Sequence, residues 1–247
     1  MRDNSRGPAN GPRQETRRNR LAAIGVIGFS VFALFGAGAS AGAQITKQGD
    51  AYLFRMKFAK GHKLSYTVTS EAHLPNNPSA MKAVVPMAMT VQDVKGNVAT
   101  VQMVSGPMTL NGKPMGQQQT TVIKLDDRGK PIGGAVPGQQ VATQLPEKPL
   151  KVGESYTSNN SVNMMGQQFA VKSVNKFLGI KKVGSRTVAA IATTIAGSGA
   201  MKSSGNGTAY LDVADGQLVS MTMNQKLTIT QGAQAQTINS VVTVTRK

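Results

Sequence analysis

Residues 219–230, VSMTMNQKLTIT, decide the fold. Val219, Met221, Met223, Leu227 and Ile229 occupy odd positions, while Ser220, Thr222, Asn224, Lys226, Thr228 and Thr230 occupy even ones. Successive side chains of a strand point to opposite faces, so this period of two predicts a strand with one buried and one wet face. The closing segment repeats the pattern less cleanly, with Ile238, Ser240, Val242 and Val244 set against Asn239, Val241, Thr243 and Thr245.

Working outward, further strands are predicted over 64–69, 87–94, 98–104, 120–125, 168–178, 187–196 and 208–213. Turn residues separate them: Gly96-Asn97, Asn111-Gly112, Asp127-Arg128-Gly129, Gly205-Asn206-Gly207 and Asp215-Gly216. These residues reach left-handed conformations or cap their own turns, and connections this short join antiparallel neighbours. No helical period is visible after residue 43. The expectation is an all-β, mainly antiparallel protein in which two similar β units form a curved sheet, half-barrel or sandwich.

The two units are read from internal echoes. Lys60-Gly-His-Lys-Leu-Ser-Tyr66 and Leu150-Lys-Val-Gly-Glu-Ser-Tyr156 each place a glycine ahead of a Ser-Tyr strand start. Downstream, 121–132 (TVIKLDDRGKPI) and 208–219 (TAYLDVADGQLV) each run into Leu-Asp and turn through an acid and a glycine. Leu-Asp and Asp-x-Gly also arise from turn chemistry alone, so the alternative to duplication is recurrence of the same turns. The division is a first unit over 44–144 and a second over 145–247, with the Pro-rich 145–149 as the seam. In this order, the early G-x-x-x-x-Y strand, the LDDRGKPI hairpin, the LPEKPLKVGESY junction and the terminal LDVADGQLV hairpin resemble a family of uncharacterised bacterial exported proteins, known as a domain of unknown function. That resemblance covers most of residues 50–247 and implies a secreted β-rich fold. It supplies no catalytic residue.

Residues 1–43 read as an export signal. Residues 1–20 hold six arginines and two acids, and 21–43 (LAAIGVIGFSVFALFGAGASAGA) carry no charge. The small residues at Ala39, Ala41 and Ala43 fit signal peptidase, placing cleavage after Ala41 or Ala43. The same run is long enough to span a bilayer, so the alternative is a retained anchor. Thr16-Arg-Arg-Asn-Arg-Leu21 resembles a twin-arginine motif, with Arg20 where that motif prefers an apolar residue, and the general secretory route stays open beside it. The chain has no cysteine, which excludes disulfides and a lipidated cysteine. The predicted location is periplasmic or secreted.

Residues 44–247 carry 22 basic and nine acidic side chains, a net charge of +13. The lysines are dispersed and no basic helix or aromatic-interleaved patch occurs, which argues against nucleic acid and for a solvated surface drawn to anionic head groups or envelope polymers. Two histidines and no cysteine make a zinc site improbable, no G-x-S-x-G elbow is present, and Gly197–Gly207 reads as a flexible hairpin connection. Asp126, Asp127, Asp212 and Asp215 read as turn caps. No enzyme and no cofactor are expected. Twelve of the thirteen methionines lie beyond residue 43, in a chain without tryptophan. Met87 with Met89, and Met221 with Met223, share a strand face, and their first reading is core packing. Flexible thioethers also re-pack around varied shapes, so these four are the candidate lining of an apolar-ligand site. The functional expectation is an exported binding module for an apolar ligand such as a lipid, or for an envelope polymer. The alternative is a structural or interaction protein of the envelope without a small-molecule ligand.

Overall fold

Residues 219–230 fall inside a 14-residue strand, Leu218–Gln231, whose Met221 and Met223 turn into the core while Thr222 and Asn224 stay exposed. The alternation begins two residues later than the sequence suggests. A bulge sets Leu211 opposite Leu218 and Tyr210 opposite Ser220, so Leu218 is buried and Val219 only partly so.

The computed structural model describes residues 44–74, 79–133, 144–164, 167–198, 201–231 and 234–247. The export signal and its cleavage residues Ala41 and Ala43 lie outside these described residues. Among the described residues the fold is all-β, with 73% in strands, no helix, and mostly antiparallel pairing. The first half forms β1 (Ile45–Gln48), β2 (Ala51–Phe54), β3 (Lys63–His73), β4 (Met81–Lys95), β5 (Val98–Ser105), β6 (Met108–Leu110), β7 (Lys113–Met115), β8 (Gln119–Leu125) and β9 (Pro131–Ile132). The second half forms β10 (Leu150–Lys151), β11 (Ser155–Met164), β12 (Gln167–Val183), β13 (Arg186–Ser198), β14 (Met201–Asp212), β15 (Leu218–Gln231) and β16 (Gln234–Arg246).

Eleven strands follow one path, β11-β12-β13-β14-β15-β16-β3-β4-β5-β8-β9, with β6 and β7 beside β4. The sheet is large and curved and does not close into a barrel. A second sheet, β1-β2-β10, packs against it. Between them lies the main core, where Phe177 of β12 meets Tyr52 and Phe54 of β2 edge to face at 5.3 and 5.0 Å. Such pairs add about 0.5–1.5 kcal/mol each to the burial of their area. Leu145 and Met56, from the connecting segments, complete this layer.

The two halves repeat one backbone device. Gly61 N–H donates to Val91 O (2.8 Å) and Val91 N–H to His62 O (3.0 Å); Gly153 N–H donates to Phe177 O (2.7 Å) and Phe177 N–H to Glu154 O (2.9 Å). A bulge follows immediately in each case, at Val91/Asp93 and at Phe177/Gly179. Both glycines have positive φ, 81° and 91°, which other residues rarely adopt. The tyrosines, however, are not equivalent. Tyr156 stands opposite Asn175, two residues before Phe177, whereas Leu64 stands opposite Met89, two residues before Val91. Leu64 is therefore the counterpart of Tyr156, and Ser158 that of Tyr66. The Leu-Asp echo holds in geometry: Asp126 Oδ1 accepts from Arg128 N–H (2.9 Å) and Asp212 Oδ1 from Ala214 N–H (3.0 Å).

Gly205-Asn206-Gly207 is not a turn. All three lie inside β14, paired with Gln225, Asn224 and Met223. A Cβ on Gly207 would strike the Thr222 carbonyl and one on Gly205 would come within 2.7 Å of the Asn224 carbonyl, so glycine here serves close backbone approach, not a bend. The Pro-rich 145–149 is likewise anchored. Leu145 and Pro146 are buried, Leu145 N–H donates to Arg128 O (2.9 Å), and Arg55 donates to Pro146 O and Glu147 O, both at 3.0 Å. The two units share both sheets, through β16–β3 in the large one and β10–β2 in the small one.

Candidate functional site

The four candidate methionines all point into the main core. Met87 and Met89 pair with Tyr66 and Leu64 of β3; Met221 and Met223 pair with Val244 and Val242 of β16. Each is no more than 5% exposed. Strands β16 and β3 separate the two pairs, and Val242, Val244, Tyr66 and Val68 fill the space between them. They form one packed layer. None of the four borders the groove described next.

That groove lies at the far end of the sheet, with a volume of about 500 Å³, and crosses β13, β14, β15, β16 and β3. Two rows of outward-facing cross-strand partners run through it and continue beyond its ends. One runs Val174, Thr194, Asn206, Asn224, Val241, Glu71 and Lys82; the other runs Lys172, Ala196, Ser204, Lys226, Asn239 and His73. These side chains alternate with the core-facing set, so they stand on the outer face of the sheet. At the usual strand spacing the five strands that the groove crosses span roughly 19 Å. Within the groove Thr194, Ser204, Asn206, Asn224 and Asn239 offer donors and acceptors side by side. Glu71 is the one acid in the two rows, and Lys82 holds it at 3.0 Å. Lys172 and Lys226 thus leave the face positive. Asn206 and Asn224 are directly opposed because Gly205 and Gly207 let β14 and β15 approach closely. Sequence reading missed this face because its signal is the polar half of each alternation.

A second polar cluster sits at the opposite end of the sheet. Arg246 Nη1 lies 2.8 Å from Asp215 Oδ2 and 4.0 Å from Asp212 Oδ2, while Arg186 Nη1 lies 2.6 Å from Asp212 Oδ2. Asp212 and Asp215 are buried, and each also caps the turn, Asp215 Oδ1 accepting from Gln217 N–H at 2.8 Å. Turn capping alone therefore does not account for them; they are the buried counter-charges of two arginines. Asp127, also read as a cap, pairs with Arg55 at 3.4 Å. Burial raises the Asp215 pKa against the pull of the Gln217 N–H and Arg246. Burial lowers that of His62, with Arg246 adding to the effect, and raises that of Tyr66. Gly216 closes the turn at φ 70°, where a Cβ would strike the Arg55 carbonyl. With each buried carboxylate tied to an arginine and the imidazole disfavouring a proton, the cluster serves to fix the β14–β15 turn against β16 and β3. No group of three His, Asp or Glu among the described residues could hold a metal ion.

Two outcomes follow from this geometry. Truncating Met221 or Met223 to Ala should lower the unfolding free energy by about 2–5 kcal/mol each in a denaturant titration, the cost of a core cavity; a loss well below that range would mark the wall of an existing cavity. Because folded His62 resists a proton that the unfolded chain accepts near pH 6.5, stability present above that pH should fall as the pH drops through it. Asp215 acts with the opposite sign and only in the lower, carboxylate range. Thermal melts of the protein and of His62→Gln between pH 8 and pH 5.5 should differ in slope; equal slopes would remove His62 from this role.

Compared with known proteins, the chain matches no family model and no curated protein.

Proposed function

We propose that this protein is an exported, non-enzymatic binding module of the cell envelope, and that it grips a hydroxyl-rich, anionic envelope polymer along the outer-face groove. The observation that carries this reading is the groove itself: an open trough about 19 Å long by strand spacing, lined by Asn206, Asn224, Asn239, Thr194 and Ser204, with Lys226 inside it and Lys172 one strand beyond its end. Extended polymers suit open troughs, and paired amides exchange hydrogen bonds with hydroxyls at successive positions. Lysines without a nearby acid favour phosphate or carboxylate groups and speed encounter with them. The packed state of Met87, Met89, Met221 and Met223 favours this over the apolar-ligand alternative, since a lipid would have to displace core side chains.

The export signal over 1–43, the absence of cysteine and the resemblance to exported β-rich proteins are consistent with work outside the cytoplasm. The buried, arginine-bound carboxylates at the other end of the sheet offer no free acid and base pair. That favours binding over catalysis.

Co-sedimentation with purified cell-wall material from the producing organism tests the proposal. Replacing Lys226 with Glu, or Asn206 and Asn224 together with Ala, should weaken binding by at least about tenfold, the equivalent of 1.4 kcal/mol. These positions are exposed, so the melting temperature should stay within a few degrees of the parent. Unchanged binding in both variants would overturn the assignment.

A further inference from the structure

The sheet does not close, so it has two ends, and the ends differ. At one end β9 is two residues long, begins with Pro131, and covers only Lys124 and Leu125 of β8. The other short strands carry similar protection: Lys47 in β1, Lys113 and Pro114 in β7, Lys151 in β10. Lysine, proline and shortness are the usual means of preventing edge-to-edge pairing.

β11 has none of them. It is ten residues long, SYTSNNSVNM, and pairs with β12 along its whole length. Among the described residues no strand pairs with its other edge. Ser155, Thr157 and Asn159 are exposed. The comparable stretch in β8, Gln119–Ile123, is half as long. From Ser155 through Val171 the sequence contains no charged residue, in a chain of net charge +17. No charge on β11 itself therefore opposes a second copy along this unpaired edge.

We propose that β11 is a self-association edge, pairing antiparallel with β11 of a second copy about a two-fold axis. A two-fold contact is isologous, so each residue meets its own kind of surface, and an uncharged edge is compatible with itself as a lysine-bearing one is not. Opposed residues in an antiparallel pair share a face, so the outer faces of both copies become one continuous surface. Each copy's outer rows begin one strand away, at Lys172 and Val174 of β12. The pair then presents two grooves side by side, an arrangement that favours a repeating ligand by avidity. The proposal does not depend on that ligand.

The cysteine-free chain gives a direct test. Single cysteines placed by Ser155→Cys, Thr157→Cys and Asn159→Cys are oxidised in the protein purified from the cells that make it. Directly paired residues have Cα atoms about 4.5–5.5 Å apart, within disulfide reach, whereas neighbours two positions along are too distant. A two-fold pairing therefore cross-links at the position nearest the axis and far more weakly elsewhere. Native mass spectrometry and sedimentation velocity should show a dimer, and Thr157→Lys, which sets like charges near the axis, should raise its dissociation constant at least about tenfold with an unchanged melting temperature. A monomer at every concentration, equal cross-linking at all three positions, or a ladder of higher oligomers indicating β11 against β8 of the next copy would each overturn the proposal. So would a one-to-one complex with a different protein that shields these three positions.

Discussion

The pairing of β16 with β3 is the constraint on which the rest of the structure depends. It runs from Asn239 opposite His73 to Arg246 opposite Tyr66, and it brings the last strand of the chain against the first long one. Without it the molecule is two open meanders, each with a naked edge at its centre. With it, eleven strands share one path and the inner faces of both halves contribute to one core. Val242 and Val244 of β16 and Val68 and Tyr66 of β3 stand at the middle of that core, between the two methionine pairs. Closing so long a loop costs entropy that grows only slowly with length. A continuous buried row of hydrogen-bonded strands offsets it.

The two ends of the sheet then divide the work. At the base, the small sheet, Phe177 and the arginine–aspartate cluster seal the core, and every buried carboxylate there has a guanidinium partner. Breaking such a pair leaves an uncompensated buried charge, which is why this end has little freedom to change. At the far end, the strands continue past the core and their outer face carries amides, hydroxyls and unpaired lysines. Eight of the nine acids beyond residue 43 lie at or near the base; Glu71 alone sits toward the other end, already held by Lys82.

Much of the fold was legible in the sequence, because the strands of the large sheet alternate and their turns carry Gly-Asn, Asn-Gly and Asp-x-x-Gly. The departures have physical causes. In β12 the pattern is inverted: Val174 is exposed while Ser173 and Asn175 face inward, where Thr193 Oγ1 donates to Asn175 Oδ1 at 2.8 Å, so apolar residues there mark the wrong face. Gly205 and Gly207 imitate a turn but serve close strand approach. β1 and β2 are four-residue strands too short to show a period. The candidate site was less legible. The groove is made of the exposed half of each alternation, whose residues are unremarkable one by one and gain meaning only through cross-strand register. The methionine pairs share a face, as their spacing predicts, and that face belongs to the packed core, the first of their two readings.

Native-state hydrogen exchange across β3 and β16 tests the central claim most directly. If their pairing unifies the molecule, the amides bonded between residues 66–73 and 239–246 belong to the slowest class, and their opening free energy equals the global unfolding free energy from denaturant titration. If these amides instead open at a distinctly lower free energy while β12–β15 stay protected, the two halves are separate folding units and the account of a single unified sheet is wrong.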